Sequence, residues 1–163
     1  MAVDTSIVGM VLSRGRVRVE RGPVTQFARS LKDDNPIYAD PAAAKAAGFD
    51  EIPTPPTFPI AFEFWGRFRD EQPEGAMEKN RIQELIAKML AGGGLLLHGE
   101  QEFTYHRTPK VGDVLDFEGS VVDTYEKESK GRTMTFVLSD TVFRDSATNE
   151  PVVTSRNTLI VRK

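Results

Sequence analysis

The pattern of apolar and polar positions divides the chain into a mixed first half and a strand-like second half. In the first half, residues 16–20 alternate as expected for a short strand, and residues 22–31 have helical periodicity. A short helix is predicted next, capped by Asp40 and ended by Gly48. The apolar face of the helix predicted at 22–31 is formed by Val24, Phe27, Ala28 and Leu31.

The most apolar stretch, residues 57–65, predicts a buried helix of two to three turns, with Pro59 tolerated in its first turn. Three closely spaced prolines hold the chain extended just before it. Residues 66–76 are polar and turn-rich, and residues 77–92 predict an amphipathic helix. The apolar positions of that helix are Ile82, Leu85, Ile86, Met89 and Leu90, and glycines at 92–94 end it.

From Leu95 onward the pattern predicts four strands, at 95–107, 114–129, 133–145 and 151–163, joined by short hairpin-type connectors. Antiparallel strands can pack one face on a helix, and the helix that is apolar all round is the natural one to cover. The sequence therefore predicts an α+β fold in which a curved antiparallel sheet wraps around a central apolar helix, with extra helices. We expect residues 1–163 to form one domain.

Composition excludes several classes of function. The chain has 163 residues, a formal net charge of −3 and no cysteine. An acidic balance argues against nucleic acid as a partner, and no apolar run approaches the roughly 20 residues that cross a bilayer. The first residues do not resemble a secretory signal, so we expect a cytoplasmic protein that contains no disulfide.

Candidate acid/base chemistry lies at residues 32–40, KDDNPIYAD, which place Asp33, Asn35 and Tyr38 around a turn. This stretch can be a capped turn or a loop derived from a catalytic site. The two histidines, His98 and His106, are predicted to share one strand face with Glu100, Glu102 and Thr104. His98 with Glu100 is a candidate for a relocated dyad or for half of a metal site. A solvated polar strand is favoured, and no metal is predicted.

The order of three segments resembles the MaoC-like hot-dog dehydratase/hydratase family. DNPIYADPAAAKAAGF precedes PPTF, and LLHGEQEFTYHRTPKVGDVL follows it. The likeness is greatest to the fatty-acid-synthase-type dehydratase N-terminal domains. It implies a hot-dog fold and the reversible addition of water to a trans-2-enoyl thioester of coenzyme A or acyl carrier protein, without a cofactor, which gives the (3R)-hydroxyacyl thioester.

The resemblance carries over residue by residue in the loop, with one substitution. Asp33 matches the family's catalytic aspartate and Asn35 its conserved asparagine, but Tyr38 stands where active relatives have histidine. A phenol with an ordinary pKa of about 10 is a poor proton acceptor at neutral pH. In this respect the chain is similar to the non-catalytic subunit of heteromeric dehydratases, whose partner supplies both Asp and His.

A second departure concerns the donor for the thioester oxygen. The family's His-Gly pair before the central helix falls on Pro55 and Pro56, and proline has no N–H to donate. The backbone N–H of Thr57 or Phe58 is the predicted substitute, at a helix N-terminus. Aromatic residues of the same segment are candidates for an acyl tunnel, although core packing is the commoner role: Phe58, Phe62, Phe64 and Trp65.

Five cations are candidates for contact with coenzyme A phosphates or an acidic carrier protein: Arg14, Arg16, Arg18, Arg107 and Lys110. Ordinary surface positions are the favoured explanation for them. The leading hypothesis is a subunit of a (3R)-hydroxyacyl-thioester dehydratase, forming a homodimer or a heteromer with a catalytic hot-dog chain. A self-sufficient hydratase that uses Asp33 with Tyr38 or His98, and a non-enzymatic acyl-thioester-binding module, are the alternatives; a thioesterase has no feature in its favour.

Overall fold

The computed structural model describes residues 4–65, 72, 77–129 and 131–163. Their strands form a single six-stranded antiparallel sheet. In chain order these strands are β1 (Val11–Arg18), β2 (Met77–Asn80), β3 (Leu95–Tyr105), β4 (Val114–Ser129), β5 (Arg132–Asp145) and β6 (Pro151–Arg162). Their order across the sheet is β2-β1-β4-β5-β6-β3, so that β2 and β3 form its two edges.

The helices are short and lie in the first 90 residues. They are α1 (Arg21–Ser30), α2 (Pro41–Ala46), α3 (Phe62–Trp65) and α4 (Ile82–Leu90), and single 3₁₀ turns lie at Thr5–Ile7, Pro36–Tyr38 and Phe58–Ala61. The predicted α+β class and the antiparallel sheet are confirmed, as are the four strands of the second half within a few residues at their ends. The side chain of Asp40 accepts from the Ala42 N–H and caps α2, as predicted.

Two hydrophobic clusters fill the concave face of the sheet. The larger holds Phe58 and Phe62 of the central segment together with residues of α1, α2 and the sheet. The smaller surrounds Leu85, the fully buried residue of α4, and includes Leu12 and Val137 from the sheet. The helices are therefore held on one side of the sheet by two separate apolar contacts.

The extended approach to the central segment is confirmed. Thr54 N donates to Pro109 O at 2.9 Å, and Val111 N donates to Ile52 O at 2.9 Å, so this stretch pairs with the segment after β3. The central helix itself differs from the prediction. It begins as a 3₁₀ turn before α3, and Ile60 and Phe64 are exposed, 38% and 54% respectively, rather than buried. The predicted turn region at 66–76 lies outside the described residues except for residue 72, as does the side chain of Trp65.

Three further predictions were wrong in detail. The first strand begins at Val11 rather than residue 16. The sequence pattern misses its first residues because the inward positions Ser13 and Gly15 are small rather than apolar and hide the alternation. Residues 77–80 form strand β2 on the edge of β1 instead of the first turn of a helix. Leu31 lies at the C-cap of α1 and is 53% exposed, so it does not belong to the buried face of that helix.

Candidate functional site

The loop after α1 is shaped by its own side chains. Lys32 takes the left-handed conformation with φ 57°, and the Asp33 N–H donates back to Ala28 O at 3.0 Å, which ends the helix sharply. Asp33 Oδ1 then accepts from the Asn35 N–H at 3.1 Å, and Asn35 Oδ1 accepts from the Ile37 N–H at 3.2 Å. Both polar side chains thus stabilise the turn that brings Tyr38 back toward α1.

Tyr38 lies against α1 in a small cavity of about 200 Å³ that it shares with Asp33 and Asn35. Its carbonyl accepts from the Thr25 hydroxyl at 2.9 Å, which fixes the turn to the helix. Partial burial raises the pKa of the Tyr38 phenol, and the charge of Asp33 raises it further. The geometry brings the three predicted loop residues together and keeps Tyr38 protonated at neutral pH.

The predicted substrate residues of the central segment have different surroundings. Phe58 and Phe62 are 1% and 0% exposed, and both lie in the larger hydrophobic cluster. The Phe58 ring packs edge-on against Phe27 of α1 with 5.2 Å between ring centroids. Thr57 is exposed at the start of the 3₁₀ turn. The two phenylalanines are therefore packed core residues of the central segment, and Thr57 lies at its surface.

The two candidate amide donors also differ. The Phe58 N–H donates to Pro55 O at 2.9 Å, so it is already engaged inside the turn. Thr57 is the remaining candidate of the pair.

A larger cavity, of about 320 Å³, lies between the concave face of the sheet, the central segment and α4. It shares no lining residue with the cavity at Tyr38. Its apolar walls come from Pro59, Ile60, Phe64, Ile82 and Ile86, and its polar wall comes from the sheet. This volume is at the lower end of the range of ligand pockets.

His98 lines the larger cavity, which corrects the prediction that it shares a strand face with Glu100. A β-bulge at Gly99 shifts the register of β3, so that His98 pairs with Leu159 and Glu100 with Thr158. A Cβ at position 99 would lie 2.5 Å from Ile160 Cδ1, which explains the glycine. His98 therefore faces inward with Gln101, and Glu100 lies on the opposite face.

The inward polar residues are joined by hydrogen bonds. His98 Nε2 accepts from Asn157 Nδ2 at 3.2 Å, and Gln101 Oε1 lies 3.4 Å from the same amide nitrogen. Gln101 Nε2 in turn donates to the Ser155 hydroxyl at 2.7 Å. Among the described residues, no aspartate or glutamate lines this cavity, so His98 has no carboxylate partner in that part of the wall. None of its inward partners was singled out from the sequence.

The five candidate phosphate-binding cations all pair with carboxylates. On the sheet, Arg14 pairs with Glu118, Arg16 with Asp116 at 2.6 Å and Arg18 with Glu20 at 3.8 Å, while Lys110 pairs with Asp50. Arg107 bridges Asp113 at 2.6 Å and Asp145 at 2.9 Å. The favoured explanation of these cations, ordinary surface and structural positions, agrees with this pairing.

The described residues contain neither a cluster of metal ligands nor a membrane-spanning helix. No group of three or more metal-ligating side chains lies close enough together there to hold one ion. In the same residues no helix is both long and apolar enough to span a bilayer.

Comparison with known proteins identifies the family. Residues 6–155 match the model of the FAS1-like dehydratase domain region, and the chain belongs to this family. The chain is 33% identical over 145 residues to a UPF0336 protein of Thermobifida fusca, a match that covers 88% of this chain and 83% of the relative.

Two solved structures from Mycobacterium tuberculosis share the fold. The HadBC (3R-hydroxyacyl-ACP dehydratase) complex matches with a TM-score of 0.68 at 21% identity, covering 96% of this chain and 98% of that one. The ChsH1–ChsH2 complex matches with a TM-score of 0.69 at 22% identity, covering 91% and 80% respectively. The predicted MaoC-like hot-dog fold is thereby confirmed.

Proposed function

We propose that this chain is a subunit of a (3R)-hydroxyacyl-thioester dehydratase, acting on enoyl thioesters of coenzyme A or acyl carrier protein, and that it is not catalytic alone. A hot-dog partner supplies the Asp/His pair. The observation that carries the proposal is Tyr38, a phenol with a raised pKa at the position that matches the family's histidine. We also propose that residues 1–163 act as one domain in the cytoplasm.

The chemistry requires one group to take a proton from water and return it during the reverse reaction. Such a group works best when its pKa lies near the working pH. The pKa of Tyr38 is raised from 10.0, away from neutrality, so this phenol can donate a hydrogen bond but is a poor proton acceptor. Asp33 is left without an imidazole partner in the loop, and its side chain holds the turn through the Asn35 N–H.

The exposed edge of the sheet supports the presence of a partner. Within the described part of the chain, β3 pairs on one side only, with β6, and it exposes Leu95, Leu97 and Tyr105. An unpaired edge with apolar side chains is a surface on which a second sheet can continue. Both structural relatives named above are complexes of two different chains, which supports a heteromer over a homodimer.

Each predicted site residue has a role in this proposal. Asp33, Asn35 and Tyr38 form a loop that keeps the shape of an active site without its base. Thr57 presents its backbone N–H to the thioester oxygen. Phe58 and Phe62 hold the base of the acyl pocket in place.

The alternative of a self-sufficient hydratase that uses His98 has weaker support. His98 lies in the larger cavity, where none of the described lining residues is a carboxylate and where its Nε2 accepts from Asn157. The binding-module alternative predicts the same structure for this chain as the main proposal. The two differ only in whether a partner chain carries out hydration, so only an assay of the complex separates them.

The test is hydration of a short and a long trans-2-enoyl coenzyme A thioester. It compares the chain alone with the chain co-purified with a hot-dog protein of the same genome that has an intact Asp-x-Asn-x-x-His loop. We expect turnover only with the partner. Tyr38→Phe is the matched control and should leave that turnover unchanged, whereas Tyr38→His should give the isolated chain activity that Asp33→Asn removes. Brisk turnover by the isolated wild-type chain contradicts the proposal, and turnover in none of the samples favours the binding module.

A further inference from the structure

A row of small polar residues crosses the concave face of the sheet. The pairing places Ser13 beside Gly119, Gly119 beside Thr141, and Thr141 beside Ser155, on four adjacent strands. Ser13, Thr141 and Ser155 are all buried. Together with three residues of the next row and of β3 they form what we call the polar belt: Ser13, Thr141, Ser155, Ser139, Asn157 and Gln101.

Gly119 leaves room for the hydroxyls of Ser13 and Thr141 on the two neighbouring strands. A Cβ at position 119 would lie 2.6 Å from the Ser13 hydroxyl and 2.7 Å from that of Thr141. Both hydroxyls therefore lie over the glycine, in space that any other residue would fill. The absence of a side chain here keeps two polar groups side by side in the interior.

The polar belt separates the two hydrophobic clusters and forms the floor of the larger cavity. Phe143 and Val153 belong to the cluster on one side of it, and Val137 and Leu159 to the cluster on the other. All six belt residues line the cavity, whose opposite walls are apolar apart from Gln83 of α4. The described lining residues include no lysine, arginine, aspartate or glutamate, so the floor suits an uncharged polar group.

The belt has hydrogen-bonding capacity beyond what its internal network uses. Asn157 Oδ1 is buried and has no hydrogen-bond partner among the described residues. The serine hydroxyls of the floor can both donate and accept, so the floor can pair with a hydroxyl or a carbonyl. An apolar tail alone would leave Asn157 Oδ1 covered and unpaired, which is unfavourable for a buried polar atom.

We propose that the polar belt recognises a hydroxyl or carbonyl oxygen carried within the apolar tail of the ligand, so that this chain selects oxygenated acyl groups over plain hydrocarbon ones. The inference rests on the proposed function for the identity of the ligand as an acyl thioester. It adds the class of acyl group and the residues that select it.

The test measures binding rather than turnover. A saturated thioester without a 3-hydroxyl cannot lose water by β-elimination. Dodecanoyl-pantetheine and a series of derivatives hydroxylated at successive tail carbons well beyond C3 are therefore titrated into the full chain by calorimetry. We expect at least one hydroxylated derivative to bind roughly three- to ten-fold more tightly than the plain chain. Gln101→Leu and Ser139→Ala should each reduce that ratio toward one. Glu102→Gln, on the opposite face of β3, is the matched control and should preserve it.

Equal binding of plain and hydroxylated tails, a preference for the plain tail, or no binding of either thioester overturns the inference. So does an unchanged ratio in the two belt variants. If Gln101→Leu fails to fold by circular dichroism, Ser139→Ala alone decides, since it removes a single half-buried oxygen. The outcomes are distinguishable from failure of the proposed function, because selective binding with no hydration by any complex would refute the enzyme and leave the belt's role intact.

Discussion

Phe62→Leu separates a packing role from a ligand-binding role in the central segment. The Phe62 ring is fully buried and packs edge-on against Phe58 and Phe143, with centroid distances of 5.5 Å and 5.1 Å. Each such pair contributes about 0.5–1.5 kcal/mol beyond the area it buries, and the smaller side chain also leaves a void. We expect the free energy of unfolding to fall by about 2–3 kcal/mol, and the melting temperature of a chain of this size by roughly 5–10 °C.

Phe64→Leu is the matched control for this measurement. Phe64 is 54% exposed and lines the larger cavity, so its truncation should change stability by less than about 0.5 kcal/mol while weakening the binding of dodecanoyl-pantetheine. Urea unfolding followed by circular dichroism gives the stability, and calorimetry gives the binding. An unchanged urea midpoint in Phe62→Leu would refute the packing role. A larger effect of Phe62→Leu than of Phe64→Leu on binding, after correction for the folded fraction, would place the ring in the ligand site.

Three other substitutions test electrostatic features of the fold. Arg107→Met removes the 2.6 Å bond to the buried carboxylate of Asp113 and should lower the free energy of unfolding in urea by about 2–3 kcal/mol. Arg14→Met, which breaks the exposed pair with Glu118, should have a much smaller effect, and equal effects of the two substitutions would contradict this ranking. Burial raises the pKa of Tyr105 from 10.0 to about 12, so the folded chain keeps this proton where the unfolded chain loses it. The contribution of Tyr105 to the free energy of unfolding should therefore be constant below pH 10 and decline as the pH rises from 10 toward 12. In urea midpoints measured across this range, Tyr105→Phe should flatten the decline.

The second half of the fold was predictable because its strands are long and its connectors short. The alternation over β4, β5 and β6 spans many residues, so their positions follow from local pattern alone. The start of β2 was not predictable in this way, since Met77–Asn80 becomes a strand only by pairing with β1, more than sixty residues earlier in the chain. A local helical pattern continues across that boundary and gives no sign of the distant partner.

The two cavities also differ in whether their residues could be predicted from local sequence. Asp33, Asn35 and Tyr38 lie within six residues, so their proximity follows from the sequence. The polar belt joins residues of four strands (β1, β3, β5 and β6), and each of these residues is an ordinary polar position within its own strand. The inward orientation of His98 depends on the bulge at Gly99, and a glycine inside a strand pattern was the signal that could have indicated it.

The polar belt also separates the packing of α4 from the packing of α1 and α2. The larger cluster anchors α1 and α2, whereas α4 is held through Leu85 and its neighbours in the smaller one. Since the two clusters share no member, a substitution beneath α4 leaves the contacts that hold α1 and α2 in place. Such substitutions can therefore reshape the α4 wall of the larger cavity without repacking the rest of the interior.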